Sequence, residues 1–408
     1  MSAAHSLAPA GKGALHGIRV LDLSSVVLGP LTTQMLADMG ADVIKVEAPQ
    51  GDLARSVGPA RNKGMASVFL ACNRNKRSLV LDLKHPGARD VLDTLVHGSD
   101  VLVHSVRADA AERIGIDAAR LQQLNPRLVH AHVKGFSDVG PCAGLPAFDD
   151  IIQAASGLAQ LQAIYTGEPR YVPALLADKT TALYAAYAIM TALFHRERSG
   201  RGQAVDVPMF ETMAAFNLLE HLWGHTFEPP LEDMVYGSIR AGVRKPFRTQ
   251  DAHIALVPYT DAQWLRCFEV IGRPELREDP RFATLAARVR HHTVVMAELE
   301  RAMATRTTAD WVAILRAADI PAMPIQSLQD LPRDPQLLAN GLWQLMDHPS
   351  EGKLRFPGVP YTLSETPGGI RMLAPRLGEH TADVLAEFGF GAAQIGALVA
   401  DGVVAPLG

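Results

Sequence analysis

Short apolar runs alternate along this chain with longer stretches whose apolar residues recur at helical spacing. Ile18–Leu23, Asp42–Glu47, Ser78–Leu83, Asp100–His104 and Leu128–Val133 are rich in valine, leucine and isoleucine and read as strands. Between them, Leu31–Met39 has helical spacing and stops at Gly40, and a helix runs from Pro86 to about Val96. Ile116–Leu124 reads as another. A sixth strand, Gln203–Val207, follows a long helix that closes at Gly200-Arg201-Gly202, and Met209–Trp223 is again helical. This rhythm predicts an α/β fold, a doubly wound, Rossmann-like and mostly parallel sheet.

The pattern changes after that. Residues 1–16 read as a disordered lead and 17–225 as the first part of the large domain. The stretch 226–242, rich in Pro, Glu, Met and Gly, reads as a linker, 243–327 as a smaller α+β domain and 328–340 as a second linker. Residues 341–408 are expected to return to the large domain. In the smaller domain, His253–Pro258 is a strand and Asp261–Ile271, Ala286–Ala304 and Ala309–Ala318 are helices.

Composition narrows the function classes. Apolar residues make up 48% and charged residues 20%, with a net charge of −4, which gives no electrostatic reason for nucleic acid or an acidic membrane as partner. The longest apolar stretch, Ala182–Phe194, is too short to span a bilayer. Cys72, Cys142 and Cys267 are far apart and form no CxxC pair, as expected for reduced thiols in a cytoplasmic protein. No GxGxxG, Walker-type GxxxxGK[ST] or GxSxG segment occurs, which removes the usual supports for dinucleotide, P-loop and serine-nucleophile chemistry. His130 and His132 share a strand face, but no carboxylate or cysteine in sequence completes a ligand set, so no metal is expected.

One residue breaks the pattern. Asp178 stands where the chain is otherwise apolar, between Tyr171–Ala177, which reads as buried extended chain, and a buried helix starting at Lys179. A carboxylate there is poorly hydrated. It is the best candidate nucleophile or general base, and equally an N-cap of the helix behind it. The two readings are compatible. Sites in doubly wound sheets lie beyond the carboxyl ends of strands. The tips here are Ser24–Pro30, Ala48-Pro49, Ser105-Val106-Arg107 and Lys134-Gly135-Phe136.

Several ordered segments carry a resemblance. They are Gly17–Leu23, Gly29-Pro30 with Gln34–Glu47, Asn75–Leu79, Glu112–Gly115, Leu124–Arg127, Lys134–Phe136, Asp178 and Gly200–Gln203. Together they resemble the class III coenzyme A-transferases, the CaiB/BaiF family, most strongly from Gly17 to Glu211. The resemblance implies acyl-CoA and carboxylic acid substrates, no permanently bound cofactor, and Asp178 as the nucleophile. Attack on the thioester would give an acyl anhydride, and return of CoA thiolate an aspartyl-CoA thioester. It also implies CoA contacts at Ser25, Val26, Val27, Leu28, Ala48, Ser105 and Val106. Lys76, Arg77, Arg113 and Lys134 would meet the nucleotide phosphates. The formyl-CoA enzymes carry histidine where this chain has Ser25. Family members form interlocked homodimers, and the two linkers are long enough for such threading. The racemase branch needs a histidine at Phe148, in Ala147-Phe148-Asp149, and phenylalanine carries no proton. Racemisation is therefore disfavoured, and a racemase or isomerase on the same fold is the alternative reading to a CoA-transferase. The oxalate-using enzymes have a glycine run in the smaller domain, where this chain has isolated Gly237 and Gly242 with Arg240, Arg244 and Lys245.

Overall fold

The structure is a computed structural model and describes residues 13–406. Its centre is a seven-stranded sheet. Six strands run parallel: β1 (Arg19–Leu23), β2 (Asp42–Glu47), β3 (Lys76–Leu81), β4 (Val101–His104), β5 (Val129–Lys134) and β6 (Ala204–Pro208). Their spatial order is β3-β2-β1-β4-β5-β6, so the order reverses at β1. Val404–Ala405 adds an antiparallel edge strand to β3.

Strand periodicity sends alternate residues to opposite faces, and from β1 to β5 both faces are largely dry, while the edge strand β6 is partly exposed. Val20, Val43, Val101 and Val103 pack toward α1 (Leu28–Asp38) and the long helix Leu176–Ser199, meeting Leu36, Ala182, Ala185 and Ile189. Their neighbours Leu21, Ile44 and Leu102 face the helices Ala88–His97 and Thr381–Glu387, meeting Val91, Leu92, Val384 and Leu385. The C-terminal segment is tied to the sheet by Thr381, whose Oγ1 accepts from Val80 N at 3.1 Å and donates to Ala405 O at 2.9 Å.

The chain divides into two compact units. One comprises the described residues up to Ala159, Tyr171–Phe216 and Pro335 onward, and the other Gln160–Arg170 and Asn217–Asp334. Residues 226–242, expected as a linker, belong to the second unit and include a short helix, Gly237–Arg240. Residues 328–340 contain the helix Pro335–Ala339. The second unit has its own core around Trp264, Phe268, Leu299, Met303 and Trp311, beside a three-stranded antiparallel sheet. The single helix expected over 286–304 is two, Leu285–Arg290 and His292–Met303, broken at His291 without glycine or proline.

Three further expectations need correction. Residues 1–12 of the expected lead lie outside the described residues. Gly13–His16 are not a loose lead: Leu15 is buried in the core and its N–H donates to Met39 O at 2.8 Å. Tyr171–Leu175 is an exposed loop rather than buried extended chain. The long helix is buried on one face only. Leu183, Tyr184, Tyr187, Met190 and Phe194 form a row of exposed apolar side chains down its other face. Replacing Leu385, wholly buried against Val384 and the sheet, by alanine should cost about 2–5 kcal/mol in urea unfolding. A change below about 0.5 kcal/mol would remove the C-terminal return from the cooperative core.

Candidate active site

The carboxyl ends of β1, β4 and β5 open onto a cavity of about 670 Å³. Its wall on one side is Ser25–Leu28, the turn between β1 and α1. Opposite lie Lys134–Phe136 and the loop Ala143–Phe148. Gly135 is required there, because a Cβ at this position would collide with the Ala147 side chain. Asp178 and Met209 also line it.

Asp178 occupies the first turn of the long helix, which begins at Leu176 with Leu175 as its N-cap. Its side chain caps nothing, so the N-cap reading of Asp178 does not hold. The helix starts two residues before the aspartate because Leu176 and Ala177 already turn. The Asp178 side of the cavity is built by Asp149, first residue of the helix Asp149–Ala155. Asp149 Oδ1 accepts from Asp178 N at 2.9 Å, and its Oδ2 from Gln153 Nε2 at 2.6 Å. Gln153 in turn grips the preceding loop, donating to Ala174 O at 3.1 Å and accepting from Val172 N at 2.9 Å. Asp149 and Gln153 escaped the sequence reading, although their i, i+4 spacing after Phe148 was legible.

Asp178 is 9% exposed, and burial followed by the nearby Asp149 carboxylate pushes its pKa up to about 7. Near neutral pH both its protonated and its ionised form are accessible. No cation offsets it within its hydrogen-bond partners. N–H groups at the start of a helix are natural donors to an oxyanion. The Asp178 N–H is instead held by Asp149 and that of Lys179 by Leu175 O at 3.2 Å. The helix end at the cavity is that of α1, where Val27 and Leu28 line the wall and no side chain caps the helix.

The other predicted residues divide. Ser25, Val26, Val27, Leu28, Ser105 and Lys134 line this cavity with Asp178. Ala48 and Val106 do not; Ala48 is exposed in a turn and Val106 packs toward the lower core. Lys76 and Arg77 are not phosphate ligands in this arrangement. They open β3, far from its carboxyl tip, and both charges are already satisfied. Lys76 is wholly buried, donating to Asp22 Oδ2, Pro30 O and Asn73 Oδ1, each at 2.8 Å. Burial, against the pull of Asp22, lowers its pKa to about 8. Arg77 pairs with Asp42 and Glu387, each at 2.7 Å.

Arg113 lies outside the main cavity, 3.3 Å from Asp109. It lines a smaller cavity of about 130 Å³ with Lys84, His85 and Arg89. The helix Ala108–Ile114 joins the two, since Ala108 and Asp109 line the larger one. Arg107, Lys84 and Arg89 were not singled out from the sequence as binding residues. All three follow strand tips or open helices, which is where such a signal lies.

Lys134 is held sideways by Asp206 at 2.8 Å and by Asp138. Burial opposes its charge, but these two hydrogen bonds outweigh it and raise its pKa. Asp138 and Asp206 also bring carboxylates within 4.8 Å of a His132 ligand atom, where the sequence showed no carboxylate to complete a ligand set. The fold supplies them from the loop after β5 and from β6. The Lys134 ammonium lies between both acids, so they are already neutralised. In the second unit Arg240 pairs with Glu232 at 3.5 Å and Lys245 with Glu300 at 2.8 Å.

The sequence profile described as CoA-transferase family III matches residues 15–381. The chain belongs to CoA-transferase family III. It is 34% identical over 392 residues to a succinate–glutarate CoA-transferase of Agrobacterium fabrum, covering 93% of this chain and 96% of that one. It is likewise 34% identical over 412 residues to a formyl-CoA:oxalate CoA-transferase of Streptomyces avermitilis, covering 96% and 99%. Among solved structures it resembles a CaiB/BaiF family protein from Brucella suis, with a TM-score of 0.77, 30% identity and 92% and 99% coverage. Rv3272 from Mycobacterium tuberculosis gives a TM-score of 0.80 at 30% identity, with 91% and 99% coverage. This class III enzyme therefore takes CoA thioesters as substrates.

Lys76 separates a structural from a ligand role. Lys76→Ala strands the buried Asp22 carboxylate and should cost on the order of 3–5 kcal/mol of stability in denaturant titration. Unchanged stability with weakened CoA binding would return Lys76 to the ligand set.

Proposed function

We propose that this enzyme moves CoA between carboxylic acids with Asp178 as its nucleophile. The observation that carries the reading is a carboxylate in the main cavity, desolvated, without a cation, and poised near neutral pH. An Asp178 oxygen attacks the thioester carbonyl carbon, the C–S bond breaks, and CoA leaves as thiolate. The thiolate attacks the aspartyl carbonyl of the anhydride and the donor acid departs. The acceptor carboxylate attacks the resulting aspartyl thioester, and a second passage of thiolate to the acyl group frees Asp178. Protons need not move at carbon, and no electron is transferred, so the cycle calls for neither metal nor redox group. Phe148 in the cavity wall supports this reading over racemisation, which requires a proton carrier there.

The thioester end of CoA belongs beside Ser25–Leu28 and Asp178. Its phosphates suit the basic cavity of Lys84, Arg89 and Arg113, reached along Ala108–Ile114. The acids named for the two relatives, succinate and glutarate or formate and oxalate, mark short organic acids as the first acceptors to assay. The apolar row on the long helix supports a homodimer, which the family resemblance further gives as interlocked. Light scattering at micromolar concentration should give twice the chain mass. A monomer there would refute it.

Asp178→Asn should fold and bind CoA while transfer falls by at least about 10³-fold. Hydroxylamine with acyl-CoA should modify Asp178 in the wild type only, and trapping at another residue would displace Asp178 from this role. The pKa has a sign that can be checked. Asp178 binds its proton more tightly folded than unfolded, so this group destabilises the protein as pH rises from the ordinary aspartate range through about 7. Asp178→Asn should accordingly be the more stable protein at pH 8. Transfer in the wild type should rise with pH along an acid limb near 7. Asp149→Asn keeps an acceptor for the Asp178 N–H but removes its charge, and should move that limb downward. Burial remains, so the limb should not return fully to the ordinary aspartate range.

A further inference from the structure

The wall of the cavity opposite the Ala143–Phe148 loop contains a strained residue. Val26 has φ +69°, the left-handed region that a β-branched residue seldom enters. Such strain persists only where surrounding structure holds it. Here one buried aspartate does so. Asp52 Oδ1 accepts from Val26 N at 3.0 Å, and its Oδ2 lies 2.8 Å from Lys45 Nζ. The side chains of Lys45 and Asp52 are 0% and 1% exposed. Lys45 also donates to Ser24 O at 3.0 Å, so both ends of the pair hold the same turn. Next to it, Asp22 accepts from Ser24 N at 3.0 Å. Gly29 allows α1 to start at once, since a Cβ there would collide with Ser24.

We propose that the buried Lys45–Asp52 pair is a positioning device that holds Val26 in its left-handed turn and thereby sets the Ser25–Leu28 wall against the bound CoA thioester. Neither residue lines the cavity; they act through the backbone of Ser24 and Val26. The pair sits on β2 and on the loop after it, so the second strand and its connection fix the shape of a wall built from the first. A bland alternative exists. Asp52 also caps the short turn Leu53–Ser56, accepting from Ala54 N at 2.9 Å. If capping were its whole task, the wall would not depend on it.

The proposal rests on the reading that this cavity binds CoA. Its test uses the full-length protein and free coenzyme A, with Kd measured by calorimetry and folding by thermal unfolding. Asp52→Asn keeps a side-chain acceptor and its size but removes the charge facing Lys45. It should weaken CoA binding about tenfold or more. The decisive measurement repeats Asp52→Asn in a Val26→Gly background. Glycine enters the left-handed region freely, so the pair has less strain to hold and the effect of Asp52→Asn should shrink to under about threefold. Equal loss in both backgrounds, or no loss with Val26 present, overturns the positioning role. If Asp52→Asn fails to fold, Lys45→Met with Asp52→Asn removes both charges together and is read in the same two backgrounds. Failure of the wild type to bind CoA would instead overturn the CoA reading itself. Transfer kinetics add a second readout: loss of the wall should raise KM for the acyl-CoA more than it lowers kcat.

Discussion

The cavity stands on charges taken out of water. Beneath the turn between β1 and α1 lie two buried lysines and the two aspartates that neutralise them, Lys76 with Asp22 and Lys45 with Asp52. Desolvating an ammonium or a carboxylate costs several kcal/mol per ion, and only close pairing with further hydrogen bonds offsets it. Each member here has those bonds. Asp22 accepts from Ser24, Thr33 and Lys76, and Lys76 donates to two further oxygens. The pKa shifts divide: Asp22 stays far on the ionised side despite burial, because Lys76 and Lys45 face it, whereas at Lys76 burial outweighs the pull of Asp22 and lowers the pKa. Once these partners are fixed, the turn has few alternatives. Its entry at Ser24, its strained corner at Val26 and its exit into α1 follow from where the charges must sit.

Asp178 is the counterexample within the same fold. It is nearly as buried, yet the charged group that acts on it is another carboxylate, Asp149. Burial therefore acts on it unopposed and its pKa rises, where that of Asp22 falls. Asp149 serves two ends with its two oxygens, fixing the Asp178 main chain and holding Gln153. The Asp178 carboxylate is left facing the cavity with weak solvation and no competing cation. A nucleophile of raised pKa is more basic and still substantially ionised near neutrality, which suits the chemistry proposed for it.

The sheet was legible because β1 to β5 are largely buried on both faces and so read as aliphatic-rich runs. β2 falls where the sequence puts it, and β1, β4 and β5 shift by a residue. β3 begins two residues earlier than expected, and that offset explains the largest error at the site. Lys76 and Arg77 look like residues preceding a strand, free to reach a ligand. They are the first residues of β3, at the end of a parallel strand that does not face the cavity. Asp178 stood out because a carboxylate in an apolar run is conspicuous. Its partner Asp149 did not, because the contact spans 29 positions and the local i, i+4 spacing with Gln153 does not point to Asp178. The break at His291 was equally silent, since neither glycine nor proline marks it.

The exposed row on the long helix follows from the same logic of patterning. Ala182, Ala185, Ile189 and Ala192 are small or slender and let the helix lie close to the sheet and α1. Leu183, Tyr184, Tyr187, Met190 and Phe194 are large and point away. A helix apolar all round reads from sequence as wholly buried, and within one chain it is not. The two faces are graded by size, small toward the chain's own sheet and large toward the outside. A helix that needed burial only on its inner face would carry polar residues on the outer one. The outer face is exposed in this chain and apolar all the same, and it belongs to the helix that carries Asp178 at its first turn. The exposed row and the candidate nucleophile are thus carried by one continuous helix, Leu176–Ser199.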